Sequence, residues 1–254
     1  MSWQTFRQSA HALGVPLTST QLEQFRLYSE RLLAANRHIN LTALRDRDLL
    51  IKKFHLDALS LLPVIARYTE QTVADLLQQS WSAVDVGSGG GAPALPLSIV
   101  WPRLHYTLIE SIAKKSRFLE DVVMALGVNV RVINARAEEI GQNPQHRQRY
   151  DLVTARAVAA LPTLAELTLP LARIGGVIAL PKGTKAQAEA EAAAAAIVLL
   201  GGELLAIEQV TMPELTEKRM VVVMRKIADT PATYPRRVGV PARKPIKSVN
   251  QLNY

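Results

Sequence analysis

The chain contains no cysteine. Disulfides, thiolate nucleophiles and Cys-ligated metals are therefore excluded. Histidine is almost as scarce, with five in 254 residues, and no pair stands at HxH or HxxxH spacing, so no metal site is expected. Aromatic residues make up 5% of the chain, too few for a broad platform on which bases could stack. Long apolar runs are also missing. The longest, AAAAAIVLL at 192–200, falls well short of the roughly 20 residues a membrane helix needs, and its ordinary reading is an Ala-rich helix with one buried face. The opening MSWQTFRQSAHALGVPL has neither an apolar leader core nor a cleavage signal, which predicts a cytoplasmic protein with no membrane association. Acidic residues are in deficit, 22 against 30 Lys and Arg, for a net charge of +8.

What is present is a chain with 48% hydrophobic residues, enough for one large α/β core or one core with a small appendage. The positive charge favours a polyanionic partner such as nucleic acid. Half of it lies in the tail: from Asp229 onward Arg236, Arg237, Arg243, Lys244 and Lys247 face one acid, a surplus of four out of +8. Pro235, Pro241 and Pro245 punctuate this stretch and argue against a helix or a central strand there. It reads either as a solvated end or as an extended arm whose Arg236, Arg237, Arg243 and Lys244 meet phosphates.

Three regions follow from the patterning: a helical extension at 1–79, an α/β domain at 80–226 and the basic Pro-rich tail at 227–254. In the first, Leu22, Phe25, Leu32 and Leu33 fall close to one helical face, and 48–65 is a second amphipathic stretch joined to it by the polar connector 36–46. In the second, strands are predicted at 82–87, 105–110, 128–134, 150–156, 176–181, 203–210 and 219–225. Helices are expected near 93–100, 112–126 with Ser111 as N-cap, 162–172 and 184–200. Alternation of this kind implies a mostly parallel, Rossmann-like sheet with right-handed crossovers. Only 211–218 separates the last two strands, too little for a comfortable parallel crossover, so they should pair as an antiparallel hairpin.

The first strand runs straight into VDVGSGGGAPALPL, with four glycines in the five residues 87–91. A strand, a glycine-rich turn and a helix start together receive nucleotide-like ligands, because backbone N–H groups can approach closely and the helix terminus favours negative charge. A P-loop is excluded, since no GK[ST] follows. Gly87 to Ala92 formally satisfies a dinucleotide fingerprint, GxGxxA, which leaves a nicotinamide-dependent oxidoreductase open. Asp85 turns the motif into DxGxGxG. A carboxylate at this strand end suits the ammonium of S-adenosylmethionine and would repel a pyrophosphate; the final hairpin points the same way. Asp85 alternatively only caps the loop. Glu110, at the tip of the second strand, would bind ribose hydroxyls in either case. Arg156 lies at the end of the fourth strand, where it either borders the ligand or pairs with a carboxylate such as Glu138. Lys114, Lys115 and Arg117 open the following helix as a solvated face or an RNA contact.

The run DVGSGGGAPALPLSIVWPRLHYTLIESIAKKSRFLEDVVMALG, the earlier NLTALRD, the later RAEE and ARAVA, and the ending YPRRVGVPARKPI resemble the ribosomal RNA small subunit methyltransferase G family, also called glucose-inhibited division protein B. The resemblance extends from about Asn40 to Ile246. It implies a class I methyltransferase fold and S-adenosylmethionine-dependent methylation of guanine N7 in 16S ribosomal RNA. The partner would be that RNA or the small subunit, with no metal and a monomer favoured. Carried over by position, the cofactor residues would be Gly87, Gly89, Gly91, Ala92, Glu110, Ala137, Glu138 and Arg156, to which the loop and the following helix start add Asp85, Ser111 and Ile112. Arg156 and Lys182 would orient the base or the RNA, and no residue is assigned as a general base. The chain departs from the family pattern at Ala92, at Ala94, at the interrupted 179-ALPKG-183 and at 54-FHLDA-58, where His55 sits one place from the expected position beside Asp57. A non-catalytic RNA-binding assembly factor is the further alternative, which the intact loop and Glu110 disfavour.

Overall fold

The fold was obtained as a computed structural model, and residues 1–246 are described, except for the side chains of Leu215 and Thr216. Residues 247–254, Lys247 included, lie outside the described residues. All the predicted strands form: β1 Ser82–Val86, β2 His105–Ile109, β3 Val130–Ile133, β4 Tyr150–Thr154, β5 Ala172–Lys182, β6 Gly202–Met212 and β7 Leu215–Lys226. They make one seven-stranded sheet in the order β3-β2-β1-β4-β5-β7-β6. The first five pair in parallel, while β7 runs antiparallel to both β5 and β6. Only Pro213 and Glu214 separate β6 from β7, so a hairpin is the one connection the chain can make there.

The N-terminal part consists of α1 Trp3–Ala12, α2 Ser19–Ala35, α3 Arg47–Leu50, a π-helical turn Ile51–Leu56, α4 Asp57–Leu59, α5 Leu61–Tyr68 and α6 Val73–Leu76. A reciprocal capping box starts α2: Thr18 accepts from the Gln21 N–H, and the Gln21 side chain accepts from the Thr18 N–H. Its buried Phe25, Tyr28 and Leu32 are spaced three and four apart and pack on the sheet with Phe6, Leu50 and Phe54. The same core takes in Leu152, Val177, Ala179 and Val223 from the strands. Residues 1–79 therefore cover one face of the sheet together with α7 Ala94–Val100 and α8 Ala113–Leu126. The other face carries α9 Ala137–Gln142, α10 Leu161–Thr168 and α11 Ala186–Leu199. The neighbours Ala83 and Val84, and likewise Leu152 and Val153, enter opposite cores, which is why these strands read as unbroken apolar runs.

Three local expectations are corrected. The N-cap of α8 is Ile112, with no side-chain cap, and Ser111 is exposed outside the helix. The helix α9, hidden in the short stretch between β3 and β4, was not predicted. Over its described residues, to Ile246, the tail is neither extended nor free of helix. A helical turn, α12 Val240–Arg243, places Pro241 in the first turn, where a missing N–H breaks no helical bond. Arg147 gathers the tail by donating to the carbonyls of Tyr234, Thr230 and Pro231 at 2.6, 2.7 and 3.1 Å, and Tyr234 and Ile246 are buried in the second core.

Candidate active site

The carboxyl ends of β1, β2, β4 and β5 open into a cleft of about 1250 Å³. Ligands bind at this edge in open α/β sheets. The glycine loop forms one wall. Gly87, Gly89 and Gly91 have positive φ, and a Cβ at Gly87 would stand 2.7 Å from Val158, one at Gly91 2.6 Å from the Tyr28 hydroxyl. Side chains are thus excluded there by backbone conformation and by close approach alike. Glu110 closes the loop from the sheet side: Oε2 accepts from the Gly89 N–H at 2.9 Å and Oε1 from the Ile112 N–H at 2.8 Å. From the helical side, Tyr28 donates to the Gly90 carbonyl at 2.6 Å, and burial pushes its hydroxyl pKa well above the usual value.

Asp85 sits beneath this loop, 1% exposed, and does not line the cleft. Its Oδ1 accepts from the Thr154 hydroxyl at 2.6 Å, and Tyr106 meets the same hydroxyl at 2.7 Å. Oδ2 is buried without a partner among the described residues. Burial raises the Asp85 pKa to about 6, against the lowering effect of Thr154, Ser88 and Arg156. A buried anion with one oxygen unmatched, under a loop whose Gly87 and Gly91 leave no room for a side chain, suits a cationic ligand and disfavours a pyrophosphate.

The opposite wall comes from the N-terminal helices and the hairpin. Asn36 uses its whole amide to shape the connector, donating to the carbonyls of Thr42 and Leu44 and accepting from the N–H groups of Leu41 and Thr42. This turns Asn40 to Arg45 into the cleft. In the π-helical turn, His55 points away from the site. It is fully buried among Trp3, Phe6, Phe25, Tyr28 and Phe54, bonded to Ser29, and burial together with Arg156 lowers its pKa to about 3. Asp57 bridges two arginines, accepting from Arg156 Nη1 at 3.1 Å and from Arg219 Nε at 3.0 Å. Arg156 also lies over the Phe54 ring, 4.8 Å from its centroid. Pairing of Arg156 with Glu138 is therefore corrected: its carboxylate is Asp57, and Glu138 instead accepts from the Gly239 N–H at 2.9 Å and from Arg136. Lys182 donates to the Ala159 carbonyl and to Glu189, both at 2.8 Å, and Glu189 also accepts the Leu161 N–H at the uncapped start of α10.

Of the residues expected at the cofactor, Gly87, Gly89, Ala92, Glu110, Ile112 and Arg156 line the cleft, as does Lys182; Gly91, Ser111, Ala137 and Glu138 stand outside its wall. Among the expected phosphate contacts, Arg236 is corrected. It is turned inward onto fully buried Glu166, with its Nε at 2.9 Å and Nη2 at 2.6 Å. Arg237, Arg243 and Lys244 are exposed. Sequence reading missed Tyr28, Asn36, Glu189 and Arg219 and undervalued Asp57. NLTALRD was the only available signal for the connector, and nothing local marks Arg219 on β7.

The family profile described as GidB, rRNA small subunit methyltransferase G, matches residues 21–221. The ribosomal RNA small subunit methyltransferase G of Roseiflexus castenholzii is 45% identical over 238 residues, covering 93% of this chain and 97% of that one. That of Ligilactobacillus salivarius is 40% identical over 249 residues, 97% and 100% of the two chains. The chain belongs to the rRNA small subunit methyltransferase G family. It is accordingly an S-adenosylmethionine-dependent methyltransferase of small-subunit ribosomal RNA. The oxidoreductase and the non-catalytic factor both fall with that membership. At the level of fold alone, the chain resembles a mutant of MtNAS crystallised with S-adenosylmethionine, with a TM-score of 0.51 at 16% identity over 89% of this chain and 78% of that one. Among the described residues no helix is long and apolar enough to cross a membrane, and no cluster could hold a metal ion.

Proposed function

We propose that this methyltransferase acts on guanine N7 of 16S rRNA by orientation and electrostatics, with no general base. The sulfonium donor supplies an activated methyl group. Gly87, Gly89, Gly91 and Ala92 would receive it through their backbone, Glu110 would accept from its ribose hydroxyls, and Ser111 and Ile112 would flank it. Ala137 and Glu138 would complete the adenine end, beside the cleft wall. Asp85 would act from below the loop as a buried charge. Arg156 and Lys182 would orient the base or the RNA.

One observation carries the base-free mechanism: every carboxylate lining the cleft already accepts from N–H donors. Asp57 accepts from two arginines, Glu110 from two backbone N–H groups, and Glu189 from Lys182 and Leu161. Among the described residues no histidine lines the cleft. Guanine N7 offers an in-plane lone pair, so no proton has to leave before the methyl group moves, and alignment is the main contribution. The division into 1–79, 80–226 and 227–254 is retained as one of roles: cleft wall, cofactor sheet and docked basic tail. A monomer working in the cytoplasm, where small-subunit RNA is found, completes the reading. Single-turnover methylation at saturating RNA and donor should be nearly flat between about pH 6.5 and 8.5, whereas a proton-abstracting mechanism would show a titration there. A rate rising tenfold per pH unit, abolished by removing one side chain, would overturn it.

A further inference from the structure

The cleft is lined by more than the glycine loop, and its opposite wall joins Arg156, which is expected at the cofactor, to Arg219, which that expectation does not use. Arg156 and Arg219 both line it. They arrive from the end of β4 and from β7, and one carboxylate, Asp57, holds them side by side at 3.1 and 3.0 Å. Arg156 spends Nη1 on Asp57 and the Lys53 carbonyl; Arg219 spends Nε on Asp57 and Nη2 on Glu217. Arg156 Nε and Nη2 and Arg219 Nη1 have no protein partner among the described residues, and they are absent from the buried unmatched atoms. Donors that are accessible and unspent on two guanidiniums lining one wall form a fork.

Asp57 is 9% exposed and fixes the fork from behind. Stacking on Phe54 limits Arg156 further. A planar guanidinium held in this way matches an oxyanion bidentately. The surroundings agree in sign: among the described residues six basic side chains line the cleft against three acidic ones.

We propose that Arg156 and Arg219, aligned by Asp57, receive a phosphodiester of the RNA strand beside the target nucleotide, with Asp57 as the positioning residue. This rests on the reading of the cleft as the site of methylation of 16S rRNA. The fork fixes the strand to the protein at one phosphate, so that rotation about the neighbouring sugar can bring the base towards the inner end of the cleft. Phosphate contacts set register and orientation.

The test uses the full chain with a 16S rRNA transcript and with small subunits lacking the modification. It measures KM and kcat for RNA, the salt slope of RNA binding, and donor affinity by calorimetry. Methylation of neither substrate by the unaltered protein would refute the underlying reading and leave the fork's own test to RNA binding. Arg219→Gln should raise the RNA KM about tenfold and reduce the salt slope by about 0.7–0.9, as expected when one phosphate is no longer neutralised. Donor affinity should stay unchanged, and Arg219→Lys should restore most of the loss. Asp57→Asn gives the sharper result. Removing a negative charge from a cleft that binds RNA should tighten binding if charge alone matters, whereas loss of the aligning carboxylate should raise KM despite the added positive charge. Equal RNA binding in all three variants would make the fork a purely structural ion pair. Weakened donor binding with an unchanged RNA KM would assign it to the donor's carboxylate. Either result overturns the proposal.

Discussion

Replacing Asp85 with Asn separates the cost of the buried charge from its use. Burial holds the Asp85 pKa at about 6, against 3.8 for an exposed aspartate. Above pH 6 the folded protein keeps this carboxylate ionised in an apolar setting, at a cost of about 3 kcal/mol for a shift of roughly two units. The sign follows from proton binding. Between pH 3.8 and about 6 the folded state holds a proton that the unfolded state has released, so the penalty is complete above the folded pKa and disappears as pH falls towards the unfolded one. Asp85→Asn has no such dependence. Thr154 can still donate to the remaining carbonyl oxygen, and the new amide N–H₂ adds a roughly constant desolvation cost of about 1–3 kcal/mol. Urea unfolding at steps from pH 4 to pH 8 should therefore show the variant gaining about 2–2.5 kcal/mol relative to the parent across that range, since part of the penalty is already present at pH 4. Donor affinity should move the opposite way at pH 8, weakening by about 1–3 kcal/mol through loss of the charge under the loop. A stability difference that stays flat from pH 4 to pH 8 would refute the reasoning, since the folded and unfolded states would then bind the proton alike and burial would not have raised the Asp85 pKa.

Arg236→Ala should destabilise the protein by about 3–5 kcal/mol, because it leaves the buried Glu166 carboxylate without its charged partner and with the backbone N–H of that position alone; equilibrium denaturation reads this directly. Neutralising exposed Arg237, Arg243 and Lys244 together should leave stability nearly unchanged and flatten the RNA salt slope by about 0.7–0.9 for each phosphate that one of them neutralises. Buried Lys226 donates to the Leu200 carbonyl and to Thr230, and burial lowers its pKa to about 8 from 10.5. The folded state thus loses a proton that the unfolded state keeps, so stability should rise as pH climbs from 8 to 10.5, and Lys226→Met should abolish the rise in a denaturation series. Tyr28→Phe removes the hydroxyl that holds the Gly90 carbonyl and should weaken donor binding by about 1 kcal/mol in calorimetry, although Tyr28 does not line the cleft.

The parallel strands and the hairpin were legible because strands buried on both faces show as short apolar runs, and the linker expected at 211–218 is too short for a parallel crossover. The glycine loop and Glu110 were legible because their chemistry is local. Helix α9 was not, since its six residues give too short a period to register. The tail misled because prolines argue against regular structure without saying whether the chain is docked. What docks it, Arg147 on three tail carbonyls and Glu166 on Arg236, joins residues about 70 to 90 positions apart in sequence. Asp57 was undervalued for the same reason. Its partners, Arg156 and Arg219, are 99 and 162 residues away, and only the fold brings them together.

The same long-range dependence gives the N-terminal helices their place in the chemistry. A loop in which Ser88 alone of residues 87–91 carries a side chain has few internal contacts to hold its shape, so its conformation must be imposed from outside. Glu110 does this from the sheet, while Tyr28 holds the Gly90 carbonyl from α2. A Cβ on Gly90 would stand 3.2 Å from the Leu41 carbonyl and 3.3 Å from the Phe54 ring, so the connector and the π-helical turn press directly on the loop. Phe54 also supports Arg156 through its ring face, and Asp57, three residues on, aligns Arg156 with Arg219. The π-helical turn widens the helical repeat at this point, an irregularity that often occurs at functional sites. It lets Phe54 serve the loop and the arginine while His55 remains in the aromatic core. A sheet with this loop but without these helices would keep the glycines and lose the geometry that makes them a site.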